Sequence, residues 1–256
     1  MILLFKLLTV PASIGFITFL EKRLGTQIAG LLGGFPVVAG PILIFLAIEN
    51  GPVFATTAAT SAISAIICLL FFGVSYCWIS KKFKWQITYI ASLLVWFISA
   101  TIVSKTAISL SAALPLTFAL LACSSRLLPP HIISKDVQGT SLNLLPRMLA
   151  GASLTLVTTT LSSSMGATWI GILSMFPVIG SVLAIFIHRT KGANQVTTMY
   201  LGMIRGLYSS AIYFFVLALL LPITGIAIAV IFSLIACISV QFVFNAHKIF
   251  KWPFKP

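Results

Sequence analysis

The stretch GTQIAGLLGGFPVVAGPILIF at residues 25–45 recurs 141 residues later as GATWIGILSMFPVIGSVLAIF at residues 166–186. The match continues without a gap, and 12 of the 48 positions from 25 to 72 are identical after the shift. Self-similarity at a fixed spacing is the signature of a repeated structural unit. Both copies carry Phe-Pro in the middle of an apolar run, which makes coincidence a poor explanation. We therefore interpret the chain as two related halves.

Composition places these halves in a lipid bilayer. Of the 256 residues, 59% are hydrophobic and only 7% are charged, whereas a soluble domain carries about 25% charged residues. This excludes a soluble globular protein. A membrane-spanning helix needs about 20 apolar residues, and the sequence predicts an all-α polytopic integral membrane protein with about nine transmembrane helices. The predicted spans are residues 4–20, 26–47, 54–79, 86–104, 106–123, 145–163, 166–187, 195–218 and 221–244.

Charge supports this count of spans. The chain has 16 Lys and Arg against three Asp and Glu, a net charge of +13. With nine spans, 13 basic residues fall on one side of the membrane, Lys6 and Lys105 fall on the other, and Arg205 lies within a span. Basic residues mark the cytoplasmic side. We expect a multi-pass protein of the bacterial inner (plasma) membrane with its N-terminus outside and its C-terminus in the cytoplasm, and no nucleic-acid partner.

The odd number of spans gives the two halves opposite orientations. We predict a first repeat of four spans in residues 1–105, a linking span and polar cytoplasmic linker in 106–143, a second repeat of four spans in 144–247, and a basic aromatic tail in 248–256. Inverted repeats recur in secondary transporters, where the substrate site lies between the repeats near the membrane midplane.

The prolines of the two Phe-Pro pairs, Pro36 and Pro177, predict breaks near the middle of spans 2 and 7. Proline lacks a backbone donor and clashes with the carbonyl four residues earlier, so we expect the carbonyls of Leu32 and Leu173 to lose their helical partners. A packing kink is the simpler alternative. The predicted helix-break residues are Pro36, Pro177, Gly34 and Ser174.

Arg205 is the one charge deep inside a predicted span. An arginine there is costly unless it has a partner, and no Asp or Glu lies in the middle of any span. We expect its partner to be hydroxyls, backbone carbonyls or a bound anion; the alternative is a purely structural arginine. The predicted substrate-binding residues share helical faces and are Arg205, Thr198 and Ser209 in the second half with Thr57, Ser61 and Ser64 in the first.

The second half resembles a known family. The stretch WIGILSMFPVIGSVLAIFIHRTKGANQVTTMYLGMIRGLYSSAIYFFV at residues 169–216 is similar to the GlpM-like family of small four-helix bacterial membrane proteins, which is associated with alginate production. The resemblance covers each half separately and implies a four-helix unit, here as a fused inverted duplication. It implies no particular substrate.

Two functions remain open at this point. We expect a transporter or permease for a small anionic or lipid-linked phosphate-type solute, with the lipid bilayer and the solute or a lipid headgroup as partners. The alternative is a non-transporting membrane subunit of an envelope or exopolysaccharide assembly. The sequence lacks the constellations of paired carboxylates, zinc ligands or a Ser-His-Asp triad. We therefore expect no enzyme, no catalytic residues, no metal site and no cofactor.

Overall fold

The computed structural model describes residues 2–106, 108–130, 144–162 and 166–246. Within these ranges the chain is helical and contains no strand, which confirms the all-α class. The predicted tail 248–256 and most of the predicted linker lie outside the described residues. The helices are α1 (Ile2–Leu24), α2 (Thr26–Gly33), α3 (Ala39–Asn50), α4 (Pro52–Ile79), α5 (Trp85–Lys105), α6 (Leu110–Leu127), α7 (Leu144–Ser162), α8 (Ala167–Ser174), α9 (Val178–Lys191), α10 (Ala193–Thr224) and α11 (Ile226–Ala246).

Helix boundaries follow the 141-residue shift. Helices α2 and α5, moved by 141 residues, coincide with α8 and α11 at both ends. The tight turns before α4 and α10 are also alike, because Gly51 and Gly192 both have a φ of 85°. Residues that carry a side chain rarely adopt this backbone conformation, so both turns need glycine. The local structure is thus duplicated along with the sequence.

The short helix of each half packs against a long helix of the other half. Helix α2 packs along α10, and α8 packs along α4. A Cβ atom at Gly30 would lie 1.9 Å from the carbonyl oxygen of Met199, and one at the equivalent Gly171 would lie 2.2 Å from the carbonyl oxygen of Ala58. Backbones approach this closely only where one helix presents glycine. The same contact is made twice, once in each direction between the halves.

Helices α1 and α7, which the shift also relates, pack against each other in opposite directions. Gly15 faces Met148, whereas Gly151 faces Ile14 and Val10, so positions ascend along one helix as they descend along the other. Helices α4 and α10 show the same antiparallel order in the pairs Phe72–Tyr200 and Cys77–Thr197.

The outer helices α5 and α11 cover this core and turn apolar side chains outward. Ile90, Leu94 and Ile98 of α5 are 58–62% exposed, and Ile231 and Ile235 of α11 are 54–55% exposed. Among the described residues, five segments are long and apolar enough to cross a membrane: Pro52–Ile79, Trp85–Lys105, Ala167–Lys191, Ala193–Thr224 and Ile226–Phe244. These features indicate a membrane protein. The count of nine spans stays a prediction.

Candidate functional site

Both Phe-Pro pairs interrupt a helix. The chain leaves the helical path between Gly33 and Ala39 in the first half, and between Ser174 and Val178 in the second. We call these segments break one (residues 34–38) and break two (residues 175–177). Pro36 and Pro177 are buried within them. The helix ends lie where the proline pattern predicts an interruption.

The carbonyls before each proline are not free, which corrects one expectation. The N–H of Phe35 donates to the carbonyl of Leu32 at 3.2 Å, and that of Phe176 donates to Leu173 at 3.1 Å. Bonds to the third preceding residue tighten the last turn of a helix and use carbonyls that the regular pattern leaves open. At both breaks, the N–H of the phenylalanine before the proline therefore replaces the donor that the proline lacks.

A new helix begins directly after each break. The first hydrogen bonds of these helices run from Gly40 N–H to Pro36 O at 2.9 Å and from Ser181 N–H to Pro177 O at 2.7 Å. The N–H groups just before these donors lack an α-helical acceptor, as at every helix start, although Val178 N–H at the start of α9 donates to Phe176 O at 2.7 Å. Aligned peptide dipoles add positive potential there. Each break thus presents the positive end of a helix, that of α3 or that of α9.

A cavity of about 70 Å³ lies where the two breaks meet. Its walls include Gly34 of break one and Pro177 of break two, and α4 and α10 close it with Leu69, Met203 and Leu207. No charged side chain of the described residues lines it. The cavity therefore has mostly apolar walls, with the hydroxyl residues Thr155 and Ser174 among them, and it borders the starts of α3 and α9.

Three of the four predicted helix-break residues line this cavity, namely Gly34, Ser174 and Pro177, while Pro36 lies in break one away from the wall. The six predicted substrate-binding residues do not line it. Ser64 is buried and its hydroxyl donates to Thr60 O of the same helix at 3.4 Å. Thr57 is exposed. Ser61 packs beside Gly171 of α8.

The predicted stripe on α10 is covered by other helices. Ser209 is buried, and its hydroxyl accepts a hydrogen bond from the side chain of Gln241 on α11 at 2.6 Å. The Thr198 hydroxyl donates to Asn194 O within α10 at 3.2 Å. Arg205 is half-buried, and its carbonyl also accepts from Gln241, at 3.1 Å. Among the described residues its guanidinium makes no hydrogen bond or ion pair. The α10 positions that face the cavity are 203 and 207 instead.

Sequence reasoning missed a buried ion-pair cluster, which consists of Glu21 (α1), Arg147 (α7) and Lys191 (α9). Arg147 Nη1 lies 2.5 Å from one Glu21 oxygen, and Lys191 Nζ lies 3.1 Å from the other. The side chains of Arg147, Lys191 and Glu21 are 7%, 7% and 4% exposed. The cluster ties the first half to the second at one end of the helix bundle. A possible signal was the rarity of carboxylates, since Glu21 is one of three acidic residues in the chain.

Comparison of the chain with known protein families, with curated proteins and with solved structures finds no match. The resemblance to the GlpM-like family therefore stays a prediction.

Proposed function

We propose that this protein is a membrane transporter and that the cavity between break one and break two is its substrate site. The observation that carries the proposal is the meeting of two interrupted helices at one cavity. Discontinuous helices at the interface of two repeats form the substrate sites of many secondary transporters, where the free helix starts face anionic groups.

The proposal includes nine spans and two inverted repeats, residues 1–105 and 144–247. The antiparallel packing of α1 on α7 supports this arrangement, because helices related by a two-fold axis in the membrane plane run in opposite directions. The reciprocal contacts of Gly30 with Met199 and of Gly171 with Ala58 support it as well. The distribution of basic residues gives the orientation, with the ion-pair cluster at the cytoplasmic end.

The chemistry of the cavity narrows the class of solute. Apolar walls favour an apolar body, and two positive helix starts favour a negatively charged or strongly polar head. We therefore propose a small anionic or lipid-linked phosphate-type solute. Arg205 and the five hydroxyl residues of the predicted set do not line the cavity. We therefore place the proposed substrate site at the two breaks rather than at that set.

The ion-pair cluster supplies a gate at one end. Alternating access requires one repeat to rock against the other, and Glu21 holds a residue from each of two second-half helices. In the proposed cycle these ion pairs keep the cytoplasmic end closed, and their separation opens it. A buried carboxylate that loses both partners is costly, so separation is linked to hydration of this end.

The test is access to the cavity from water. In a variant without native cysteines, Ser174→Cys places a thiol on the cavity wall, and Ser64→Cys places one on the buried face of α4 as a control. We expect the membrane-impermeant anionic reagent MTSES to label Ser174→Cys and to leave Ser64→Cys unlabelled. Hexyl phosphate should slow labelling at least about tenfold at saturation, and inorganic phosphate should slow it less, since only the former fills apolar walls.

A cavity that stays closed to MTSES in vesicles of both orientations would contradict the transporter. The non-transporting subunit of an envelope or exopolysaccharide assembly would then be the better interpretation.

A further inference from the structure

A second group of buried polar side chains lies apart from the cavity wall. The hydroxyls of Tyr76 (α4) and Tyr200 (α10) and the Nδ1 atom of His188 (α9) are buried and have no hydrogen-bond partner among the described residues. Tyr76 is 0% exposed and Tyr200 is 3% exposed. A buried polar atom without a partner is costly in a protein interior, so these three groups call for a polar ligand.

The three side chains adjoin one another. The Tyr76 ring lies 6.0 Å from the His188 ring and 6.2 Å from the Tyr200 ring, centroid to centroid. Gly73 makes room for Tyr200, because a Cβ at this glycine would lie 2.7 Å from the tyrosine ring. We call Tyr76, Tyr200 and His188 the tyrosine–histidine cluster.

This cluster lies between the cavity and the end of the bundle that carries the ion pairs. On α4, the cavity residue Leu69 precedes Tyr76 by two helical turns, and on α10 the cavity residue Met203 follows Tyr200 by about one turn. On α9, the buried Ser181 lies beside Tyr89 and precedes His188 by two turns on the same face. Polar side chains therefore extend from Ser181, which follows the cavity residue Gly180, to His188 in the last turn of α9.

The fold does not need these polar groups. The 141-residue shift relates Tyr76, Tyr200 and His188 to Leu217, Ala59 and Ala47. Those three residues are buried, at 0%, 0% and 3% exposure. The three equivalent positions in the other half thus pack with apolar side chains. The polar side chains occur in only one of the two related sets, so packing of the shared architecture does not require them. This indicates a functional role.

Of the two residue types in the cluster, histidine is the one whose ordinary pKa lies near neutral pH. The backbone of Ser80 lies beside the His188 ring. Nδ1 is buried and has no hydrogen-bond partner among the described residues, so we assign the proton of the neutral ring to Nε2. The Nδ1 lone pair is then free to accept a proton. The other titratable groups that neighbour the cluster are Cys77 on α4 and Tyr89 on α5. Of the nearby charged residues, Lys81 follows the end of α4, and Arg189 and Lys191 belong to the last turn of α9.

We propose that the tyrosine–histidine cluster is a hydrated proton-binding site and that His188 Nδ1 binds and releases the proton coupled to transport. The tyrosine hydroxyls hold the water molecules that pass the proton between the bundle end and the cavity. This rests on the proposed transport function and names its coupling ion.

The experiment observes the proton directly in the full-length protein. His131→Gln and His247→Gln leave His188 as the one histidine, and ¹⁵N NMR of this variant in nanodiscs follows Nδ1 against pH. We expect a reversible titration between about pH 5 and 8. Tyr76→Phe and Tyr200→Phe should each move its midpoint by at least about 0.5 pH unit. Tyr213→Phe, which removes a hydroxyl from another buried tyrosine of α10, should not move it.

An Nδ1 atom that does not titrate in the folded protein would overturn the proposal, as would a midpoint that neither tyrosine variant moves. Proteoliposomes loaded with pyranine then separate the two proposals. Proton uptake driven by a hexyl phosphate gradient and lost in His188→Gln supports both. If His188→Gln keeps both solute flux and proton uptake, the proposed role of His188 in coupling is wrong and the proposed transport function stands. If His188 titrates but neither hexyl phosphate nor inorganic phosphate crosses the membrane, the proposed transport function is contradicted and only the proton-binding site is supported.

Discussion

Break one and break two share the hydrogen bonds that end the preceding helix and begin the next one, but they are held in place differently. At break one, Gly34 packs directly on the backbone of α10, and its carbonyl accepts a 2.6 Å hydrogen bond from the Ser210 hydroxyl. The equivalent positions at break two are Met175 and, for the hydroxyl, Leu69. Break one is therefore clamped to α10 by backbone contact and a hydrogen bond, whereas break two is held by side-chain packing.

In the proposed transport cycle, this difference suggests which part of the protein would move. Close backbone contact and a buried hydrogen bond resist displacement, and a flexible methionine adapts to it. We infer that α2 and α10 move as one body in the proposed transport cycle and that break two changes shape. The ion-pair cluster is likewise present only once. The shift relates Glu21, Arg147 and Lys191 to Ser162, Lys6 and Asn50, a set that has no carboxylate.

The largest expected effect comes from a side chain introduced at the clamp. In Gly34→Leu, the new Cβ would lie 2.3 Å from the carbonyl oxygen of Met203 and 2.9 Å from the Cα of Gly206. These are backbone atoms that cannot turn aside, so we expect a loss of more than about 4 kcal/mol and little monodisperse protein in size-exclusion chromatography. Met175→Leu at break two conserves volume and should cost less than about 1.5 kcal/mol. Equal losses in the two variants would contradict the difference between the breaks.

The next largest effect concerns the end of the bundle that carries the ion pairs. Glu21→Gln leaves Arg147 and Lys191 buried without their carboxylate, and we expect a loss of about 3–5 kcal/mol, measured as a lower thermal unfolding midpoint in detergent. The same change should speed MTSES labelling of Ser174→Cys, since the gate is weakened. The exposed Glu49 provides the control, because Glu49→Gln should alter neither quantity. A Glu21→Gln variant as stable as the Glu49→Gln variant would show that the cluster does not hold the halves together.

A smaller effect is expected from the hydroxyl at break one. Ser210→Ala leaves the buried Gly34 carbonyl without this donor, which should cost about 1–3 kcal/mol. Ser233→Ala on α11 removes a buried hydroxyl that bonds to Ala229 O of its own helix at 2.6 Å, and it should cost less than about 1 kcal/mol because that carbonyl retains its helical partner. Thermal unfolding of both variants measures the difference. If Ser210→Ala also speeds the exchange of hexyl phosphate, break one is a moving part and our assignment of rigidity is wrong.

Several features of the fold were predictable from local sequence. The Phe-Pro pairs predict interruptions near Pro36 and Pro177, and the helices end within three residues of each proline. The apolar runs predict helices, because a chain in lipid has to satisfy its backbone internally. The Gly51 and Gly192 turns coincide with helix boundaries for the steric reason already given.

The candidate site was predictable only in part. Helical periodicity predicts that Thr198 and Ser209 share one face of α10, but it does not predict which helix packs against that face. Gln241 of α11 covers Ser209, and it lies 32 residues further along the chain. For the same reason the ion-pair cluster was invisible, since Glu21 and Arg147 are 126 residues apart in sequence.

Sequence alone determined the helical membrane class, the duplication and the positions of the two breaks, because these depend on composition, spacing and the missing donor of proline. Tertiary structure decided which helix faces meet: the glycine contacts that set α2 on α10, the cavity between the breaks, the buried carboxylate of Glu21 and the tyrosine–histidine cluster. Each of these depends on distances between segments far apart in the chain, which only the packing of the helices determines.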